Sequence, residues 1–192
     1  MYFRKILQFR NYTQTMDKIK VLDKEFILYL DESRIQNAIK DLANRLNQDL
    51  AEEDLVFVAV LNGSFMFAAD LFRQIKLPAQ ISFVKLSSYS GTQSTGTMNR
   101  LIGINEDLRG KTIVLLEDII DTGNTLVELI QQLGDLDAKS VKIVSLLFKP
   151  EAYKKEIPID YIGIEIPNEF IVGYGLDYNG FGRNLACIYK IV

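Results

Sequence analysis

Three short apolar runs constrain this chain more than any other feature. They are LVFVAVL (Leu55 to Leu61), TIVLL (Thr112 to Leu116) and VKIVSLLF (Val141 to Phe148). A strand with one wet face alternates polar and apolar residues, whereas nearly continuous apolar runs belong to strands covered on both faces. Between and around them the period changes. From Ser33 to Leu50, apolar Ile35, Ile39, Leu42, Ala43, Leu46 and Leu50 recur at steps of three and four. That spacing predicts an amphipathic helix with Asp31 or Ser33 as its N-cap. Further helices are expected from Phe65 to about Gln74, before Pro78, and from Thr125 to Leu133, where Gly134 stops the helix. Gln80 to Leu86 reads as another strand and Glu25 to Leu30 as an edge strand. Shorter strands are expected at Tyr161 to Ile166, Phe170 to Gly173 and Ala186 to Ile191. Strands alternating with helices imply the α/β class with a mainly parallel central sheet.

No internal repeat, low-complexity tract or linker divides the chain, so residues 17–192 are read as a single domain. Residues 1–16 carry Arg4, Lys5 and Arg10 and no acid, a composition that also suits a transit peptide. They are read here as an unpacked N-terminal tail. The longest mostly apolar stretch, Leu55 to Ala69, is interrupted by Asn62, Gly63 and Ser64 and is too short for a membrane span.

Composition narrows the chemistry. The 192 residues include no histidine and one cysteine, Cys187. Ser-His-Asp and Cys-His nucleophilic sites are therefore excluded, as are zinc sites built on histidine or on cysteine alone. Disulfide frameworks and CxxC redox pairs are excluded too. Cys187 lies in the apolar run LACIYKIV and reads as a structural residue. With 22 basic and 25 acidic residues the net charge is −3, which argues against a nucleic-acid partner.

Ligands of parallel α/β sheets gather at the carboxyl ends of the strands. Two apparent nucleotide motifs fail there. Gly110-Lys111-Thr112 ends like a P-loop, but Gly103 lies seven positions before Gly110 where five are required, and the triplet precedes a strand. Gly173-Tyr174-Gly175 opens like a dinucleotide fingerprint but lacks the third glycine. After TIVLL the sequence reads Glu117-Asp118-Ile119-Ile120-Asp121-Thr122-Gly123-Asn124-Thr125. Two adjacent carboxylates close the strand, a third follows, and a small polar loop opens a helix. Backbone N–H groups at a helix start suit a phosphate. Paired carboxylates suit sugar hydroxyls or hydrated Mg²⁺, and Asp121 lies between the two zones. The plainer alternative is an acidic turn with Asp121 as N-cap.

The segment VLLEDIIDTGNTL resembles the phosphoribosyl-pyrophosphate (PRPP) motif of type I phosphoribosyltransferases. The wider chain, from about Leu55 to Ile188, resembles the hypoxanthine-guanine phosphoribosyltransferase branch of that family. The likeness includes Leu61-Asn62-Gly63-Ser64, Leu86-Ser87-Ser88-Tyr89, Gln93-Ser94-Thr95-Gly96, Ser145 to Lys149 and Phe170 to Tyr178. It implies a twisted, mainly parallel sheet flanked by helices, with a small hood of short strands built from the N- and C-terminal segments. It also implies transfer of the 5-phosphoribosyl group of PRPP to a 6-oxopurine in purine salvage, with pyrophosphate released, by a cytoplasmic homodimer or homotetramer.

The same resemblance implies the residue roles. Glu117 and Asp118 would hold the ribose hydroxyls, partly through Mg²⁺. Asp121, Thr122, Gly123, Asn124 and Thr125 would cradle the 5-phosphate, with little expected of the Asn124 side chain. Asp121 would be the general base. Lys149 would donate to the purine 6-oxo group, Phe170 would stack on the base, and Ile171 would offer backbone contacts. Asp177 would bind a second Mg²⁺ through water, and Arg183 would meet pyrophosphate oxygens. Asn62 and Gly63 would bind pyrophosphate through their backbone, although many relatives carry Lys at the position of Asn62. Ser88 and Tyr89 would belong to a closing loop, Ser87 to Asn99. Viewed alone, Lys149 is an ordinary surface lysine, Phe170 a core aromatic, Asp177 a loop acid and Arg183 a solvated charge.

Other functions remain open to the sequence. The chain suits a phosphoribosyltransferase for xanthine, adenine or orotate, of which Lys149 and Phe170 favour a 6-oxopurine. A PRPP-sensing regulator and a scaffold without catalysis are the remaining alternatives, the scaffold at odds with the presence of both Asp121 and Lys149. The regulator would want a DNA-binding segment, and the sequence before Ser33 is too short for a winged-helix domain.

Overall fold

The computed structural model describes residues 18–89, 98–104 and 106–192. The tail read at residues 1–16 and the motif Gln93 to Gly96 lie outside them. In chain order the elements are β1 (Lys18–Val21), β2 (Lys24–Leu30), α1 (Glu32–Asp49), β3 (Leu55–Val60), α2 (Phe65–Phe72), β4 (Ala79–Tyr89), β5 (Met98–Ile102), β6 (Thr112–Ile120), α3 (Asn124–Gly134), β7 (Ser140–Phe148), β8 (Tyr161–Glu165), β9 (Ile171–Val172) and β10 (Ile188–Ile191).

The central sheet has strand order β5-β4-β3-β6-β7-β8. Strands β4, β3, β6, β7 and β8 run parallel, and β5 joins antiparallel to the far end of β4. All six residues of β3 are buried, as its unbroken apolar run requires. Alternation along the strands sends their side chains into two cores. Phe57, Ala59, Val114, Leu116, Val144 and Leu146 meet α1 and α2 on one face. Val56, Val58, Ile113, Leu115 and Ile143 meet α3 on the other. Asp31 is the N-cap of α1, its carboxylate accepting from the Arg34 N–H at 2.7 Å.

A second sheet, order β1-β2-β10-β9, is antiparallel and joins the two ends of the described chain into a hood. Phe26, Val172 and Tyr189 form its small core. Among the described residues no helix is long and apolar enough to cross a membrane.

Four sequence expectations change. Strand β2 is not an edge strand, because β1 and β10 pair with its two sides. The charged alternation KIKV had hidden β1. Strand β6 does not end at Leu116. Its ladder with β7 continues through Glu117 to Ile120 because backbone pairing is indifferent to side-chain charge, so the carboxylates lie within the strand. Strand β4 extends through Ser87, Ser88 and Tyr89, which pair with Arg100, Asn99 and Met98. That part of the expected closing loop is therefore hairpin. Finally, Gly134 is the last residue of α3 rather than its stop, and Asp135 is the C-cap.

Phe57 is fully buried and meets Phe72 edge-on at 5.4 Å, tying β3 to α2. Phe57→Ala is expected to lower the unfolding free energy by about 3 to 5 kcal/mol, measured by denaturant titration.

Candidate active site

The site is assembled where β3, β6 and β7 end, roofed by the hood. Along β6 the strand period sends successive residues to opposite faces. Glu117 follows Ile113 and Leu115 toward α3 and lines a cavity of about 230 Å³ with Asp121, Thr122, Gly123, Asn124 and Thr125. Asp118 follows Val114 and Leu116 to the other face, where it lines a second cavity of about 380 Å³. The adjacent carboxylates thus straddle the sheet and face two adjoining spaces. Burial pushes the Glu117 carboxyl well above the usual range, and Asp118 beside it adds to the effect. Asp118 is raised to about 6, chiefly by burial. Backbone N–H groups and the Arg183 charge act the other way, without cancelling it. Among the described residues neither carboxylate makes an ion pair.

The loop from Asp121 to Thr125 turns the chain from β6 into α3. Gly123, at φ 79°, is the N-cap, and no side chain caps the helix. A left-handed φ favours glycine here. Asp121 is therefore not the cap, and its carboxylate is directed elsewhere. The first N–H groups of α3 open onto the smaller cavity, the electropositive end of a helix.

Asp121 pairs instead with Lys149, the residue after β7. Lys149 Nζ donates to Asp121 Oδ2 at 2.8 Å and approaches Asn168 Oδ1 at 3.4 Å. The lysine side chain is only 9% exposed and the aspartate 44%. Lys149 is thus no surface lysine. Burial of its stem beside an acid and an amide fixes the ammonium at the wall of the larger cavity.

That cavity is also lined by Gly63, Phe170, Ile171, Asp177 and Arg183. Phe170 is not a core residue. The residue is 47% exposed, its ring held by Tyr178 at 5.9 Å and Phe26 at 6.3 Å. Ile171 is buried in β9. Asp177 and Arg183 bind one another at 2.6 Å. Asp177 also accepts from the Gly180 N–H, and Arg183 donates to the Gly175 carbonyl at 2.7 Å.

The segment after β3 crosses a cis peptide between Leu61 and Asn62. It is pinned by Leu61 N–H to the Val84 carbonyl and by Ser64 Oγ to the Val60 carbonyl, at 2.7 and 2.6 Å. Gly63 lies directly against the Asp118 carboxylate, and Gly175 directly against the Gly63 carbonyl. A Cβ at either glycine would overlap its neighbour. The hood loop carrying Asp177 and Arg183 therefore meets the loop carrying Asn62 backbone to backbone, and that loop meets β6 at the Asp118 carboxylate.

One cavity wall thus unites Gly63, Asp118, Asp121, Lys149, Phe170, Ile171, Asp177 and Arg183, and Glu117 and Thr122 to Thr125 border the adjoining one. Asn62 is exposed in the segment leading to Gly63. Ser88 and Tyr89 are described as strand. Sequence reasoning missed Asn168 and Glu169, which border the Lys149 and Phe170 side. It also missed Tyr174, whose flanking glycines, both at positive φ, were the available signal.

A model of the phosphoribosyl transferase domain matches residues 29–179. The hypoxanthine phosphoribosyltransferase of Salmonella typhimurium is 39% identical over 166 residues, which are 85% of this chain and 93% of that protein. A hypoxanthine-guanine phosphoribosyltransferase of Staphylococcus aureus is 41% identical over 160 residues, 83% of this chain and 89% of the relative. Among solved structures, a hypoxanthine phosphoribosyltransferase from Staphylococcus aureus superposes with a TM-score of 0.78 at 37% identity, covering 92% of each chain. With its fold, its PRPP-like strand-loop-helix and these relatives in agreement, the chain belongs to the phosphoribosyltransferase family.

Proposed function

We propose that this chain joins the 5-phosphoribosyl group of PRPP to hypoxanthine or guanine, releasing pyrophosphate, as a cytoplasmic, homo-oligomeric enzyme of purine salvage. The Lys149–Asp121 pair beside Phe170 carries the choice of base. A 6-oxopurine presents two neighbouring groups on one edge, the 6-oxo acceptor and an imidazole N–H donor. Lys149 and Asp121 offer the matching donor and acceptor 2.8 Å apart. Adenine would set its 6-amino donor against the ammonium, an unpaired buried donor that selects against it. The exposed ring of Phe170 supplies a stacking face.

The remaining roles follow the cavities. The smaller one, with the N–H groups of α3 and the Thr122 and Thr125 hydroxyls, takes the 5-phosphate. The larger one takes base and pyrophosphate, the latter between the backbone of Asn62 and Gly63 and the guanidinium of Arg183. Glu117 and Asp118 stand beneath the ribose between them. As the ring nitrogen bonds to the ribosyl C1 and pyrophosphate departs, Asp121 accepts the imidazole-edge proton. Ser88 and Tyr89, on the β4–β5 hairpin, remain candidates for covering the pyrophosphate side.

Mg²⁺ fits this donor set. It binds through one or two carboxylates plus substrate oxygens and water rather than in an all-protein cage. Among the described residues Glu117 is buried, Asp118 beside it is half-buried and neither makes an ion pair, which suits such an ion. Glu117 and Asp118 would hold one ion and Asp177, through water, a second. When bound, the ions would neutralise charge on the leaving pyrophosphate.

The test is pyrophosphate release from PRPP and Mg²⁺ with hypoxanthine, guanine, xanthine, adenine and orotate supplied separately. Turnover is expected with hypoxanthine or guanine and not with adenine or orotate; release with none of the five would refute the proposal. Asp121→Asn is expected to lower kcat about a hundredfold, with PRPP affinity little changed. A fall in PRPP affinity at unchanged kcat would make Asp121 a binding residue only.

A further inference from the structure

Outside the reacting groups, a polar network lies under the hood. Tyr174 is buried and is the central residue of Gly173-Tyr174-Gly175. Its own φ is 49°, with 113° and 96° at the flanking glycines. The tyrosine hydroxyl donates to Asp70 Oδ2 at 2.6 Å. Gln36 of α1 donates to the same oxygen at 2.8 Å and reaches the phenol at 3.5 Å. Arg73 adds a looser ion pair with Asp70 at 3.7 Å. The network joins the hood loop to α1 and α2.

Its position gives it a consequence for the site. Asp70 belongs to α2, the helix that opens directly after the Leu61–Ser64 segment. Tyr174 directly precedes Gly175, which lies against the Gly63 carbonyl of that segment. Gly175 in turn fixes Arg183 twice, by its N–H to the Arg183 carbonyl at 2.9 Å and by its carbonyl from Arg183 Nη1 at 2.7 Å. Arg183 holds Asp177. The hood loop is thus tied to residues 63–70 by a backbone contact at Gly63 and a side-chain bond at Asp70, beside the apolar packing of Tyr174 and Leu176 in the cluster that holds Phe67. Removing the second leaves the Gly63 contact without its polar anchor on α2.

Resting on the reading of this site as a PRPP site, we propose that Tyr174, through its bond to Asp70, is a positioning residue for the pyrophosphate end of that site. It sets the separation between the Asn62–Gly63 backbone and the Arg183–Asp177 pair, which close on the pyrophosphate from opposite sides. The purine end, built on Lys149, Asp121 and Phe170, does not depend on this bond.

The experiment is two-substrate kinetics with PRPP and hypoxanthine, together with calorimetry of Mg²⁺-pyrophosphate binding. The variants are Tyr174→Phe, Asp70→Ala, Asp70→Asn and the Tyr174→Phe/Asp70→Ala double variant. Tyr174→Phe keeps the buried ring, and Asp70 retains Gln36. Asp70 reaches the surface, so its variants carry the test should Tyr174→Phe fail to fold. Tyr174→Phe and Asp70→Ala are each expected to raise the KM for PRPP and weaken pyrophosphate binding about tenfold, with the KM for hypoxanthine within about twofold. Asp70→Asn, whose amide oxygen still accepts from the phenol, is expected to retain most of the affinity. The double variant should be no worse than either single one, since both remove the same bond. Equal losses for both substrates, unchanged pyrophosphate affinity or additive effects would overturn the positioning role. Wild-type protein without turnover would instead refute the functional reading, whereas an active wild type with an unaffected Tyr174→Phe variant refutes this proposal alone.

Discussion

The organisation of the site depends on one electrostatic fact: two neighbouring carboxylates, buried Glu117 and half-buried Asp118, stand at the end of a central strand, and among the described residues no cation pairs with either. Burial favours their protonated forms. Two basic side chains stand close by, yet Lys149 is engaged by Asp121 and Arg183 by Asp177. Each of the outer acids thus holds a cation, and the inner acids are left for whatever arrives. Such an arrangement costs stability in the empty protein and favours binding of a cation or of hydroxyl donors, a familiar exchange at functional sites.

Strand geometry turns this pair into a divided site. Because β6 runs on to Ile120, Glu117 and Asp118 fall on opposite faces, one beside the start of α3 and the other beside Gly63. Anion-binding backbone and carboxylates can then approach one ligand from different directions. The close approaches at Gly63 and Gly175 leave room for no side chain, so backbone groups converge where a flexible side chain would otherwise intervene.

Much of this was legible in the sequence. Unbroken apolar runs identified the buried strands, and the step of three and four identified α1 with its buried Ile35, Ile39 and Leu42. The acid-rich loop after TIVLL marked the site because the order of residue types there is constrained by chemistry as well as by packing. The parts that were missed share a physical cause. The β1 and β5 strands and the extension of β4 are stabilised by backbone pairing between distant segments, which leaves little trace in local side-chain pattern. The Lys149–Asp121 and Tyr174–Asp70 bonds join residues 28 and 104 positions apart, and only the topology brings them together. Lys149 and Phe170 illustrate the same limit in reverse. Locally they resemble a surface lysine and a core aromatic, and the fold makes the first buried and the second exposed.

The central claim is that Glu117 and Asp118 complete their charge balance with a ligand-borne divalent cation. Calorimetric titration of the protein with PRPP, with and without Mg²⁺, tests it most directly. The account predicts that Mg²⁺ tightens PRPP binding by about tenfold or more, and that Asp118→Asn diminishes this dependence. Equal affinity for PRPP in the presence and absence of Mg²⁺ would contradict it.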